Sequence, residues 1–156
     1  MEIKVNLQKD FDLEKISKKL LNLANASIRI WAKTYVRQTQ LDIQNEKYFT
    51  PRTGLLAQSI QILDTGFGFT ISVPLKYGLY LEEGTQPYII KVKDRKALKI
   101  PNPSGTGYIF RKKVKHPGIE PRGWFIGALE ERSEIANNTM TSYFKRGLEK
   151  IQKGEL

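Results

Sequence analysis

From Leu13 onward, apolar residues recur at three- and four-residue steps: Leu13, Ile16, Leu20, Leu23, Ala24, Ser27, Trp31 and Tyr35. That spacing draws one apolar stripe along an amphipathic helix. Asp12 stands where an N-cap belongs, and Glu14 lies near the positive end of the helix dipole. Carried to Gln44, such a helix is about 50 Å long. A domain of this length has a radius of gyration of about 15 Å. The pattern therefore predicts either a break near Gln38–Gln40 or a helix that projects beyond the body. Ahead of it, Ile3, Val5 and Leu7 alternate as a short strand with one buried face.

Pro51 closes the helical region, and Thr53–Gln58 reads as one short helical turn. Ile60 and Ile62, then Phe69, Ile71 and Val73, alternate on either side of Asp64-Thr65-Gly66-Phe67-Gly68, which predicts a hairpin with a glycine-rich turn. Pro74 ends it. Tyr77–Glu83 reads as a short helix whose C′ position is Gly84. Two further strand-like runs, Ala97–Pro101 and Tyr108–Val114, flank Asn102–Gly107 as a second hairpin. From Trp124 and Phe125 through Ala128, Leu129, Ile135, Ala136, Tyr143, Phe144, Leu148 and Ile151, the helical period returns. The order predicts an α+β fold, with an antiparallel sheet of two hairpins against a long N-terminal helix and a C-terminal helix. The chain is expected to form a single domain: strand and helix in 1–50, the sheet in 51–121 with a basic hairpin at 86–121, and the last helix in 122–156.

Composition narrows the chemistry. The 156 residues include no cysteine and one histidine, His116, which excludes disulfides, thiol catalysis, Cys-type zinc sites and clustered-histidine metal sites. No run approaches the length of a membrane span, and no leader pattern opens the chain, so it reads as a cytoplasmic product. Lys and Arg number 26 against 16 acids, a net charge of +10. Residues 86–125 hold ten of these bases against two acids, whereas the rest of the chain is close to neutral. Such a concentration points to an acidic partner. As a nucleic-acid site, Lys99, Arg111, Lys112, Lys113 and Lys115 would meet phosphates, with Tyr108 and Phe110 as stacking platforms. As a merely solvated hairpin, the same segment would turn its aromatics to the core.

Catalytic arrangements are missing from the pattern. Glu82 and Glu83 are adjacent acids, but neighbours diverge on a helix or a strand and cannot share one substrate. The expectation is one solvated carboxylate and one that accepts bonds from nearby backbone, with Glu82 on the Gly84-Thr85 turn. Gly105-Thr106-Gly107 lacks the remaining glycine of a dinucleotide fingerprint, and no phosphate-binding loop is present. No cofactor or metal is expected. A nuclease would need clustered carboxylates, which the sequence does not supply.

Three motifs, in order, carry a resemblance. Arg52-Thr53-Gly54-Leu55-Leu56-Ala57-Gln58-Ser59-Ile60 resembles Thr-Gly-x-Leu-x-x-Ser-Ile. Tyr77-Gly78-Leu79-Tyr80-Leu81-Glu82-Glu83-Gly84-Thr85 resembles Tyr-Ala-x-x-x-Glu-x-Gly-Thr, with Gly78 in place of alanine. His116-Pro117-Gly118-Ile119-Glu120-Pro121-Arg122-Gly123-Trp124-Phe125 resembles a His-Pro-Gly segment followed by Pro-x-x-Phe, with the spacing loosened by Gly123-Trp124. Together they are similar to the tail-component proteins of long-tailed, lambda-like bacteriophages, also described as tail-completion or head–tail joining proteins, a prophage-type tenth-gene-product component.

The resemblance implies a non-enzymatic, homo-oligomeric ring protein of the virion neck or tail. Its partners would be itself, neighbouring connector and tail proteins, and DNA in the lumen, with no membrane. Assembly would take place in the host cytoplasm. The alternative reading is a small basic nucleic-acid-binding module. Within the motifs, Thr53, Gly54, Leu56, Ser59, Tyr77, Glu82, Gly84, Thr85, His116, Pro117, Gly118, Pro121 and Phe125 are expected to determine the fold, not to bind a partner. Thr53 or Ser59 would cap the short helix, and the Pro117–Pro121 turn would deliver Trp124 and Phe125 into the core.

Overall fold

A computed structural model describes residues 12–66, 68–94 and 96–155. The strand expected at Ile3, Val5 and Leu7 lies outside the described residues. The fold is mixed α+β, and among the described residues every strand pairing is antiparallel. The chain separates into two compact units, each assembled from non-contiguous segments.

The first unit holds the described parts of Met1–Gln40, Ile60–Ser72 and Glu130–Leu156. Helix α1, Leu13–Gln44, starts on the expected cap: Asp12 Oδ1 accepts the Lys15 N–H at 2.9 Å. It does not break near Gln38–Gln40 but runs unbroken for 32 residues. Burial on its stripe begins at Leu23 and continues through Ser27, Ala32, Tyr35, Val36 and Thr39, whereas Leu13, Leu20 and Leu21 are exposed. The two buried hydroxyls donate to carbonyls one turn back, Ser27 to Leu23 and Thr39 to Tyr35.

Helix α4, Leu129–Lys153, meets α1 closely in this unit: a Cβ on Gly147 would stand 2.2 Å from Leu23 Cδ1. The Arg132 guanidinium is buried over the Tyr35 ring. Trp31 donates to Asn137 Oδ1 and stacks on Tyr35 and Phe69. Strands β1, Gln61–Asp64, and β2, Phe69–Ser72, form the expected glycine-turn hairpin, and an Arg29–Asp64 ion pair ties it to α1.

The second unit holds Leu41–Ser59 and Val73–Leu129. Its core gathers Ile43, Leu56, Ala57, Leu81 and Ala128 with Trp124, which is 1% exposed. Two short helices, α2 (Leu55–Gln58) and α3 (Lys76–Glu83), match the sequence expectation. The basic region is longer and more bent than a simple hairpin. β4 (Leu98–Pro101) pairs with β5 (Tyr108–Arg111) as expected, but β3 (Tyr88–Lys91) also pairs with β6 (Lys113–His116). Between Lys91↔Lys113 and Leu98↔Arg111, β5 and β6 are separated by Lys112 alone, whereas β3 ends at Lys91 and β4 begins only at Leu98. Lys112 sits at a bend, and its carbonyl accepts the Val92 N–H at 3.2 Å.

The last helix begins later than its sequence period suggests. Helical hydrogen bonding starts at Leu129, and residues 122–128 form an irregular lead-in. Gly123 has φ 53°, outside the helical range, and a carboxylate takes the next backbone donors.

Candidate functional site

Two places in the second unit hold the residues singled out from the sequence. The first is a junction where the second and third motifs meet. Glu82, on α3, directs its carboxylate at the lead-in to α4: Oε2 accepts the Phe125 N–H at 2.7 Å, and Oε1 accepts the Ile126 and Gly127 N–H groups, each at 2.9 Å. Three adjacent donors of this lead-in thus share one anion. The expectation that Glu82 serves the Gly84-Thr85 turn is corrected here: Thr85 N–H donates to Ile119 O and Ile119 N–H to Thr85 O, an antiparallel bridge that leaves the carboxylate free for the lead-in.

Close backbone approach explains two of the motif glycines. Gly84 has φ 76°, and a Cβ there would lie 2.6 Å from Ile119 O. Gly118 has φ 91°, and a Cβ would lie 2.3 Å from Thr85 O. Both distances are below any real Cβ contact, and both φ values disfavour side chains. His116 fixes the same turn: its Nδ1 accepts the Gly118 N–H at 3.1 Å, and its ring stacks on Tyr88. Trp124 Nε1 donates to Gly78 O at 2.9 Å. A Cβ on Gly78 would stand 3.0–3.2 Å from Val73, Leu56 and Trp124, which accounts for glycine where the resembled motif has alanine.

Other motif residues are placed more loosely. Leu56 is buried, while Gly54 adopts φ 70° as the N-cap of α2. Thr53 Oγ1 is 3.5 Å from Leu55 N, at the limit of a hydrogen bond, and α2 has no side-chain N-cap. Ser59 acts at the other end, donating from Oγ to Leu56 O. Trp124 enters the core as expected, but Phe125 is only half-buried and Tyr77 is exposed on α3. Thr53, Gly54, Tyr77 and Thr85 line a concavity of about 1090 Å³ together with the His116–Pro121 segment. Its wall holds a buried Thr85 hydroxyl oxygen without a hydrogen-bond partner.

The second place is the bent ribbon, whose register sorts the candidate cations onto different faces. Lys99 shares a face with Pro101, Tyr108 and Phe110, because cross-strand partners point the same way. Arg111 falls on the other face with Leu98, Ile100 and Ile109. The aromatics are not turned to the core: Tyr108 is 59% and Phe110 61% exposed, with the Lys99 ammonium 3.9 Å from the Tyr108 ring centroid. Beyond the bend, Lys113 and Lys115 share an exposed face of β3–β6 with Ile89 and Lys91.

Lys91 was not among the residues singled out. Its signal was the run Tyr88-Ile89-Ile90-Lys91, which reads as a strand only once β6 is available to pair with it. The five cations named from sequence are therefore not one patch: Lys99, Arg111 and the Lys113–Lys115 pair lie on separate faces, with Lys112 at the bend. Among the described residues, no carboxylate is within ion-pairing distance of any of these six bases, in contrast to Lys18 and Arg29, which pair with Glu14 and Asp64. No family model, curated protein or solved structure matches the chain.

Proposed function

We propose that this chain is a non-enzymatic structural protein of a bacteriophage or prophage neck or tail, acting in tail completion or head–tail joining as one subunit of a ring. The observation that carries the reading is the meeting of the resembling segments in space. Glu82 of the second motif holds the backbone that follows the third, and Gly84 and Gly118 are pressed against the opposite motif. Residues so engaged define a scaffold, and the resemblance supplies the function of that scaffold.

Exposed apolar side chains on α3 and the cations of the ribbon remain uncovered, as suits a subunit completed by neighbours. Deleting the gene from its phage or prophage tests the proposal. Electron microscopy is then expected to show filled heads and tails that fail to join, or tails of abnormal length. Normal, infectious particles would overturn it.

A second reading, a small basic nucleic-acid-binding module, is favoured by the exposed Tyr108 and Phe110 beside Lys99. Tight, steeply salt-dependent binding of a labelled oligonucleotide by the isolated chain would support it over the first.

A further inference from the structure

The exposed face of β3–β6 presents Ile89, Lys91, Lys113 and Lys115, with Lys91 directly opposite Lys113. Like charges in cross-strand register repel one another, and no carboxylate of the described chain is close enough to relieve them. Ile89, 58% exposed, adds an apolar centre to this cationic face. A surface of this kind is stabilised by an anionic partner that also brings apolar area.

The same chain carries such a surface. On the first turns of α4, Glu130 and Glu134 lie four residues apart on one helical face, flanked by exposed Leu129 and Ile135. Like-charged residues at that spacing also repel, and neither has a base within ion-pairing distance among the described residues. The carboxylates are about 5–6 Å apart at Cβ, matching the separation of directly opposed residues on a sheet.

We propose that the β3–β6 face of one copy docks on the α4 start of a second copy. This rests on the ring-subunit reading and names the contact that would build the ring. The two surfaces differ, so the contact is heterologous, and heterologous contacts that close generate rings. A nucleic-acid backbone would neutralise the lysines but would leave Ile89, Leu129 and the glutamates uncovered, so the second copy is the better fit.

The test uses two full-length variants, Lys91→Glu/Lys113→Glu/Lys115→Glu and Glu130→Lys/Glu134→Lys, with folding checked by circular dichroism. Sedimentation velocity at low salt is expected to show the wild-type chain assembling. Each variant alone should lose roughly 30-fold or more in self-association, and an equimolar mixture of the two should regain it. Variants that assemble like the wild type, a mixture that stays dissociated, or a wild-type chain that remains monomeric would each overturn the proposal. So would a lysine variant that assembles normally but loses only oligonucleotide binding, because nucleic acid would then own the face. Wild-type rings with unaffected variants would leave the ring-subunit reading standing. Normal particles after gene deletion would remove that reading, whatever the variants do.

Discussion

The junction around Glu82 and the ribbon from Tyr88 to His116 lie in the same compact unit and treat their polar groups in opposite ways. At the junction, one carboxylate serves three backbone donors, a two-way bridge joins Thr85 to Ile119, and the glycines touch backbone. Along the ribbon, lysine faces lysine and aromatic rings face water. The most distinctive sequence is thus spent on internal contacts, while the least distinctive, a basic run, is left for something outside the chain.

Four substitutions test this contrast. Gly118→Ala has the largest expected effect, because it combines a positive φ with a Cβ 2.3 Å from Thr85 O. It should cost about 3–4 kcal/mol in urea unfolding, and a loss below about 1 kcal/mol would mean that the turn can open freely. Glu82→Ala strands three N–H groups and should cost about 2–3 kcal/mol. Glu83→Ala, which alters an exposed neighbour, should stay within about 0.5 kcal/mol. Equal thermal shifts for the two would erase the distinction between them.

The smallest effect has the opposite sign. Lys113→Glu replaces repulsion across from Lys91 with attraction and should stabilise the isolated chain by about 0.5 kcal/mol. A clear destabilisation would show that the ribbon lysines already have internal partners. The contrast would then dissolve.

Local chemistry made several elements legible. The three- and four-residue period gave α1, Asp12 marked its first turn, and the Gly66 and Gly84 positions marked the ends of β1 and α3. What escaped was long-range. Glu82 finds its donors 43 to 45 residues away, and nothing local distinguishes that outcome from a bond to the adjacent turn. The same contact occupies the segment between Trp124, where the apolar period begins, and Leu129, where α4 starts: one carboxylate gathers the donors of 125–127. The β3–β6 pairing was hidden because β3 ends at Lys91 and β4 begins at Leu98 while Lys112 alone separates β5 from β6, a mismatch that no alternation pattern encodes. For the site, the sequence placed the positive charge in the right segment. Only the register could separate Lys99 from Arg111 and bring Lys91 to Lys113.

The interleaving of the two units also sets an order of events during synthesis. All of Leu41–Ser59 and Val73–Leu129 is synthesised before the rest of α4, whereas the first unit needs α4 to cover Leu23, Tyr35 and Trp31. Domains form as their segments become available. The unit that carries the motifs therefore has all its segments first, while the stripe of α1 waits, uncovered, for the last helix to arrive.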